Sequence, residues 1–565
     1  MIKGNKMVAP RNSLGNISRT KFANEYNFRT TFSAGYLFPI YASDVLPSEE
    51  KKISCAELIR SITPLGPTMD NSFIDIFFFF VPKRLVWDHW EEFIAGYNKE
   101  AWAQDIEYTV PKIKFKDLHA SAVEGDYPSG VTQNSYLHSF LDYLPGACDV
   151  VELINWQYLQ LTGADGLTED AMNNVLAIDA LYPRSYVKIW NDWFRDENLQ
   201  DELQLYTGDN DEYADEFAFD LLDPTKLPKA AKYHNRFTDA KPQPQKGADV
   251  LIPMNNLPVT LNLPTGITSA SSSIQGIGTV MPVGDSSSDK FGVSSISGSS
   301  GSTLMAKNVS NTIRMLNIAY QTEMFLAKDS HGGTRYIESI LSHFKVSNGD
   351  ARLQRSEYLG SMHIPLNVVQ VTNTAGTDSS PLGNVGGQSI TKDNSHYFTK
   401  AFTEHGIILG LAVVRTNLSY SSGVRKQYQR FTRFEHIWPE FKHIGDVPLY
   451  TKELFITPPM LLYPEHVFGY TPYASEVREG YNYNNGLFRA KANGNLSYLT
   501  YQEDYNVGAG EMPLLSAEWI EQPVDVVSNT LVDQVGPQFY ALFSIHEERV
   551  VPIDPTSDFS LIGHF

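Results

Sequence analysis

The chain has 565 residues, of which 42% are hydrophobic and 19% are charged, and its net charge is −20. This acidic balance argues against a nucleic-acid-binding protein of the usual basic type. Cys55 and Cys148 are the only cysteines, which excludes a disulfide framework, and no apolar run approaches the ~18 residues of a membrane span. Because the N-terminal segment also lacks the apolar core of a secretory signal, we expect a soluble chain that folds in a reducing cytoplasm without membrane insertion.

Charge is unevenly distributed along the chain. Between Asp196 and Asp223 there are eleven acidic residues and no Lys or Arg, which is more than half of the acidic excess. Residues 1–30 are instead basic and polar, and Pro10 and Gly15 interrupt any periodic pattern. We therefore expect an N-terminal arm over residues 1–30, with regular structure beginning near Thr30. The basic residues of this arm are Lys3, Lys6, Arg11, Arg19, Lys21 and Arg29.

The first strong strand pattern covers residues 73–81 and ends at Pro82. Its continuous apolar run, residues 76–81, is typical of a strand that is buried on both faces. Apolar residues at helical spacing then predict helices over residues 86–96 and 186–194. A third helix is predicted to begin at Ser310, a suitable N-cap, and to stop just before Gly332-Gly333.

A long segment before the third helix has a different composition. Ser and Gly dominate residues 265–303, where the charged residues are Asp285, Asp289 and Lys290. A flexible linker would have this composition, but the interspersed Ile, Val, Met and Phe residues are unusual for a linker. We predict a surface excursion over residues 245–305 that becomes ordered by packing on another surface, such as its own symmetry copies.

The second half of the chain is rich in strand patterns, separated by clusters of Gly, Pro and Asn. The candidate strands are residues 361–371, 406–415, 454–456 and 539–545. Many strands with long connections predict an antiparallel β-sandwich instead of repeated βαβ units.

No sequence motif indicates an enzyme or a cofactor site. Nucleotide-binding glycine patterns, zinc-binding pairs and a nucleophile elbow are absent from the sequence. Residues 209–212 are predicted to form a solvated acidic loop, because Ala214 stands where a calcium-binding EF-hand loop requires glycine. Glu404-His405 is interpreted as an edge pair instead of an acid–base dyad, and His331 as part of a helix C-terminal turn. A glycosidase pair of carboxylates remains open at this point.

Several distinctive segments are spread over nearly the whole chain: FSAGYLFPIY (32–41), DIFFFFVPKRLVW (75–87), DWFRDENL (192–199), GGTRYIE (332–338), DARLQRSEYLG (350–360), PLGNVGG (381–387) and FTEHG (402–406). Together and in this order, they resemble the major capsid protein of the microviruses, in particular the gokushovirus-like branch. The chain departs from the family pattern at residues 200–228, at residues 266–304 and in the C-terminal residues 561–565.

This resemblance implies a mainly β fold over residues 31–565. The expected architecture is an eight-stranded antiparallel jelly roll of the viral capsid type with long, partly helical insertions, and residues 245–305 take the place of the threefold protrusion of relatives. The implied function is structural and not enzymatic, without cofactors: sixty copies would assemble into a T=1 icosahedral shell around circular single-stranded DNA. The implied partners are an internal scaffolding protein, a DNA pilot protein, a small basic DNA-binding protein and a host receptor, with assembly in the bacterial cytoplasm.

Two regions are candidates for recognition. The basic arm would neutralise DNA phosphates or, alternatively, tie neighbouring subunits together. The excursion would attach the particle to its host, since exposed loops tolerate change and often bind, or would be a passive decoration. A rival interpretation of the whole chain is a secreted or surface carbohydrate-binding or carbohydrate-active β-sandwich protein. The candidate residues are Lys3, Lys6, Arg11, Arg19 and Lys21 for DNA, and Ile274, Val280, Asp285, Lys290 and Phe291 for host attachment.

Overall fold

The computed structural model describes residues 19–31, 33–61, 68–95, 108–114, 140–147, 177–214, 216–221, 226–247, 255–261, 302–308, 313–332, 335–347, 349, 354–366, 368–372, 385–456, 465–489, 496–502, 513–524 and 537–549. The strands in these ranges are β1 (Thr20–Thr31), β2 (Phe38–Val45), β3 (Glu50–Ser61), β4 (Ser72–Pro82), β5 (Lys112–Lys114), β6 (Ile178–Asp179), β7 (Glu212–Tyr213), β8 (Asn255–Leu261), β9 (Ser302–Asn308), β10 (Glu357–Leu366), β11 (Val368–Thr372), β12 (Val385–Ala401), β13 (Gly406–Thr416), β14 (Ser419–Tyr420), β15 (Asp446–Tyr450), β16 (Val467–Pro472), β17 (Asn482–Tyr483) and β18 (Gln538–Arg549). The α-helices are α1 (Trp90–Ala95), α2 (Phe140–Tyr143), α3 (Leu181–Ile189), α4 (Ile313–Gly332), α5 (Tyr336–Phe344), α6 (Ser475–Arg478) and α7 (Ala517–Ile520).

Nine of these strands form two antiparallel sheets. Their strand orders are β1-β18-β3-β12-β11 and β10-β4-β13-β2. When β11 is set aside, the other eight strands, numbered along the chain, follow the orders 1-8-3-6 and 5-4-7-2, which is the arrangement of a jelly roll. The predicted mainly β, antiparallel sandwich is therefore confirmed, and β11 raises its strand count to nine instead of the predicted eight.

The apolar core lies between the two sheets. Tyr41 of β2 contacts Phe543 of β18 with ring centroids 5.7 Å apart, and Phe78 of β4 contacts Tyr397 of β12 at 4.6 Å. Every second residue of β3 from 51 to 59 is buried, which is the alternation expected of a strand that turns one face toward a core.

Strand β4 is covered on both faces, as its apolar run predicts. One face joins the sandwich core, and on the other face Phe77 and Phe79 contact Phe194 at 5.4 and 5.8 Å. Phe194 ends a π-helical turn that continues α3. The strand predicted over 73–81 and the helix predicted over 186–194 are thus confirmed, although the helix begins earlier, at Leu181.

The N-terminal strand corrects one prediction. Within the described residues, regular structure is already present from Thr20 and not only from near Thr30, because β1 pairs along its whole length with β18, from Thr20 opposite Arg549 to Thr31 opposite Gln538. Most of its side chains are exposed or half-buried, so its sequence carries no apolar alternation. Backbone pairing with β18 therefore forms a strand that hydrophobic periodicity could not reveal.

Three further predictions of local structure are wrong in part. Residues 361–371 do not form one strand, since β10 and β11 belong to different sheets. Residues 454–456 form no strand and instead follow a 3-10 turn at Thr451–Glu453. Their apolar pattern reflects burial of Leu454 and Phe455 in a second apolar cluster. The helix predicted over 86–96 begins only at Trp90, after a 3-10 turn at Lys83–Leu85. The strands at 406–415 and 539–545 are confirmed as parts of β13 and β18.

Two long insertions leave the sandwich: residues 83–356 between β4 and β10, and residues 417–537 between β13 and β18. Pro82 pairs with Gly406, and Ser72 pairs with Thr416, so the insertions start from opposite ends of the β4–β13 pair. Residues of both insertions meet in the second apolar cluster. Its members are Phe237, Ala240, Tyr420, Leu449, Leu454, Phe455, Phe468, Trp519 and Ile520.

The chain divides into two compact units, of which the second comprises Gln245–Thr334 and Glu338–Lys345. Its described part contains the antiparallel pair β8–β9, α4 and most of α5. Within it, the ring of His343 contacts Phe325 at 4.7 Å and hydrogen-bonds to Asp329 at 2.6 Å. Helix α4 confirms the third predicted helix, whereas Ser310 and most of residues 245–305 lie outside the described residues.

One carboxyl group inside the sandwich makes stability depend on pH. Burial raises the pKa of Glu57 to about 7, although the hydroxyl of Tyr397 donates a hydrogen bond to it. The folded protein therefore keeps a proton that the unfolded chain releases near pH 4.5. We expect the free energy of unfolding to fall by roughly 2–3 kcal/mol as the pH rises from about 4.5 to 7.

Replacement of Glu57 by Gln should remove this fall, because Gln has no proton to release. Urea unfolding of purified subunits at several pH values measures the effect, with Glu50→Gln on the exposed side of β3 as the control that should keep it. A Glu57→Gln variant with the same pH dependence as the native chain would contradict the assignment.

Candidate functional site

The basic residues predicted to face DNA are only partly described. Lys3, Lys6 and Arg11 lie outside the described residues. The guanidinium of Arg19 donates to the hydroxyl of Ser48 at 2.5 Å. The ammonium of Lys21 lies 3.7 Å from the Glu548 carboxylate, and its side chain is 83% exposed. Both cations stand at the beginning of β1, which is an edge strand with β18 as its sheet neighbour.

Residues 209–211 are exposed, as predicted for a solvated acidic loop, but their carboxylates also have partners in the protein. Asp209 accepts a hydrogen bond from the Trp87 indole at 2.7 Å. Asp211 accepts one from the backbone N–H of Lys112 at 2.9 Å. Partial burial opposes the effect, but these hydrogen bonds lower the pKa of both carboxyls.

A buried arginine organises this loop. The side chain of Arg184 is completely buried, and its guanidinium donates to Glu212 at 2.8 Å. It also donates to the backbone carbonyl of Gly208, just before the loop (3.0 Å), and to that of Val86 (3.3 Å). Three acidic residues of this region, Asp209, Asp211 and Glu212, therefore have structural partners. Within the described residues, no three His, Cys, Asp or Glu side chains are grouped to hold a metal ion.

Glu404 and His405 have separate partners. The Glu404 carboxylate accepts from Arg84 at 2.7 Å, and the His405 ring lies edge-on to Trp90 at 5.6 Å. Burial, together with Lys83, lowers the pKa of His405. The two residues therefore do not form an acid–base dyad. The helix ends at Gly332, which confirms the helix C-terminal interpretation of His331. In the described part of the chain, no helix combines the length and apolarity needed to cross a membrane.

Exposed apolar side chains are concentrated on the two insertions. Among the described residues, the large apolar side chains that stay exposed belong to residues 83–356 and 417–537, apart from Tyr26, Met69, Tyr358 and Ile390. Contiguous apolar exposure on a soluble chain marks an interaction site. The insertions, and not the sandwich strands, are thus the candidate contact surfaces.

Helix α4 carries the first of these surfaces. Its exposed apolar residues surround the helix axis, since successive residues of an α-helix are about 100° apart. A helix that is apolar all round is normally buried, so α4 is suited to burial against a partner. The residues are Met315, Leu316, Ile318, Tyr320, Met324 and Phe325.

Residues 424–444, here called the aromatic loop, carry the second surface. Phe431 is 86% exposed, Phe434 72% and Tyr428 68%, and every residue from 431 to 440 is exposed. The sequence analysis missed this loop, although the repeated neighbourhood of Arg and aromatic residues in RKQYQRFTRF (425–434) is typical of interface composition. The predicted host-attachment residues Ile274, Val280, Asp285, Lys290 and Phe291 lie outside the described residues.

The double-sheet jelly roll is an architecture of viral capsid proteins, and exposed apolar insertions are what a subunit with several neighbours requires. The family model described as capsid protein (F protein) matches residues 13–117 and 155–559. The chain belongs to this capsid protein family.

Three viral proteins, each named capsid protein VP1, are similar to the chain. That of Chlamydia phage 1 is 30% identical over 588 residues, which cover 92% of this chain and 90% of the relative. The identity is 31% for Bdellovibrio phage phiMH2K (91% and 90% covered) and 28% for Spiroplasma virus 4 (96% and 95% covered). The protein is therefore a structural, non-enzymatic capsid protein of the microvirus type and a component of the virion, which removes the carbohydrate-directed alternative.

The Arg184 network generates a stability prediction. Arg184→Ala leaves the Glu212 carboxylate and several carbonyls without their buried donor, so we expect the free energy of unfolding to fall by about 3–5 kcal/mol. Lys21→Ala removes an exposed cation and should change it by less than about 0.5 kcal/mol. Urea unfolding of purified subunits compares the two variants, and equal losses would contradict the structural role of Arg184.

Proposed function

We propose that sixty copies of the chain form a T=1 icosahedral shell around a circular single-stranded DNA genome. The observation that carries this proposal is the placement of exposed apolar side chains on two insertions that start from opposite ends of one strand pair. A subunit with such surfaces can contact several neighbours at once, and heterologous contacts that close by symmetry produce a shell.

The basic arm is proposed to contact the genome from the inner side of the shell. Lys3, Lys6, Arg11 and Arg19 would neutralise phosphates without reading sequence, a form of binding that weakens as salt rises. Contacts between the arm and neighbouring subunits would serve assembly in addition. The same proposal assigns to the particle an internal scaffolding protein, a DNA pilot protein and a small basic DNA-binding protein, and places assembly in the bacterial cytoplasm.

Substitution of the arm tests this function. In the virus that encodes the chain, alanine at Lys3, Lys6, Arg11 and Arg19 should still give icosahedral particles by electron microscopy. These particles should contain less DNA or dissociate at lower salt than native particles, because phosphate contacts have been lost. The control removes exposed cations of the sandwich strands β3 and β12 and should leave both properties unchanged: Lys52, Arg60 and Lys392.

Two results would contradict the proposal at different levels. Arm-variant particles with native DNA content and native salt stability would remove the arm from the mechanism. If the native chain in lysates of infected cells were found only as monomers, without icosahedral particles in the electron microscope, the shell itself would be contradicted.

The Ser/Gly-rich excursion is proposed to bind the host receptor. Loops with small polar residues tolerate sequence change and often carry recognition, and the compact unit that begins at Gln245 would present residues 245–305 as the threefold protrusion. Exchange of residues 265–303 between related phages should transfer host adsorption with the loop. Intact particles whose adsorption is unaltered by the exchange would contradict this role.

A further inference from the structure

The aromatic loop is held rigidly although it is exposed. Its chain forms three short 3-10 turns, Lys426–Tyr428, Arg433–Glu435 and Pro439–Phe441. At the second turn the Glu435 carboxylate accepts the backbone N–H groups of Thr432, at 3.0 Å, and of Phe431. These two hydrogen bonds lower the pKa of Glu435, so the turn keeps its cap over the physiological pH range.

The loop is also anchored to the body of the second insertion. The hydroxyl of Tyr473 accepts the backbone N–H of Trp438 at 2.8 Å, and the Trp438 indole donates to the carbonyl of Arg433 at 2.8 Å. The guanidinium of Arg430 pairs with Glu476 at 2.5 Å. Glu476 in turn lies 3.6 Å from the buried guanidinium of Arg236. The exposed side chains are therefore presented by a fixed backbone.

Four of the five Lys and Arg residues of the loop are engaged within the chain, and the fifth, Lys442, is exposed. Arg425 stacks over Tyr483 at 4.8 Å, Arg433 lies over the Trp438 ring at 5.4 Å, and Lys426 lies over Tyr450 at 4.9 Å. Arg430 is held by Glu476. The surface that remains for a partner is mainly apolar, and it combines the exposed aromatic rings with the aliphatic side chains of Val424, Ile437 and Ile444.

We propose that the aromatic loop is a preformed contact with a second copy of this chain. The inference rests on the proposed shell, because a shell built from copies of this chain supplies the second copy. Single-stranded DNA is a poorer occupant, because it is bound by cations that track the backbone beside rings that stack bases. Here four of the five cations are engaged, and aliphatic groups do not stack. A rigid set of aromatic anchors with few free charges is instead typical of the centre of a protein interface.

The exposed area is of the size that such a contact needs. An aromatic side chain buries about 150–250 Å², so Tyr428, Phe431 and Phe434, each more than two-thirds exposed, supply roughly 400 Å². A stable interface takes about 800 Å² from each partner. The three rings thus provide about half of one interface, and the flanking aliphatic and backbone groups can provide the rest.

Cysteine labelling tests the contact in complete particles. Phe434→Cys is introduced into the virus, and its reaction with a maleimide is followed in dissociated subunits, in DNA-free particles and in DNA-filled particles. The native chain gives the background from the two natural cysteines, Cys148 and the buried Cys55. We expect rapid labelling of dissociated subunits and at least ~10-fold slower labelling of both kinds of particle, because a neighbouring copy covers the position.

A double substitution tests the same contact by assembly. Phe431→Ser with Phe434→Ser should leave soluble, folded subunits with unchanged thermal unfolding, since both side chains lie outside the core. It should reduce particle yield at least ~10-fold, since tenfold corresponds to about 1.4 kcal/mol and loss of an aromatic anchor residue weakens an interface by more than that. Leucine at both positions keeps the apolar area and should restore most of the yield.

Each contrary outcome has a separate meaning. Fast labelling in both kinds of particle, or native yield from the double-Ser variant, would overturn the contact while leaving the shell intact. Protection in DNA-filled particles alone would overturn it in favour of DNA as the occupant. Failure of the native chain to form particles would contradict the proposed shell and this contact together.

Discussion

The pairing of β4 with β13 is the interaction on which the rest of the structure depends. Ten of the eleven residues of β13 are buried, and its register with β4 is continuous from Gly406 opposite Pro82 to Thr416 opposite Ser72. A Cβ at Gly406 or Gly410 would overlap the rings of Phe80 and Phe78, so the two glycines let the aromatic run of β4 pack closely. Because both insertions begin at the ends of this pair, an error in its register would misplace both of them.

The sequence reveals the parts of the fold that are governed by apolar periodicity. The runs at 76–81 and 406–415 and the helix at 186–194 are recognisable because burial determines their apolar pattern. The helix at 313–332 is mostly exposed and is recognisable because its apolar residues recur at helical spacing. Strand β1 is not recognisable, since its side chains are mostly exposed and its partner lies over 500 residues away in the sequence. The exposure of residues 209–211 is predicted correctly, but the partners of their region, Arg184 and Trp87, are brought together only by tertiary packing and could not be predicted. The jelly roll is predicted by the family resemblance. Composition alone predicts only a β-rich soluble protein.

The second apolar cluster explains how exposed loops can remain ordered. Arg236 from the first insertion and Glu453 from the second form a buried ion pair at 3.0 Å, beside rings such as Phe237 and Tyr420 at 5.0 Å. Burial of such a pair costs hydration, so it is retained where it fixes one arrangement of the chain. Arg430 of the aromatic loop pairs with Glu476, and Glu476 in turn lies beside Arg236 of this buried ion pair. The insertions begin at the ends of sandwich strands, and the second cluster holds parts of both insertions together. The exposed surfaces of the insertions are the candidate contacts with other subunits.

The central claim of this account is that the insertions, and not the sandwich strands, join the subunits of the shell. Reconstruction of the native particle by electron cryomicroscopy at side-chain resolution tests it most directly, because the area buried between copies can be assigned to each residue. The account predicts that residues 83–356 and 417–537 supply most of that area, with Phe431 and Phe434 covered by a neighbouring copy. A particle in which the strands of the two sheets supply most of the area, while the aromatic loop faces solvent, would contradict it.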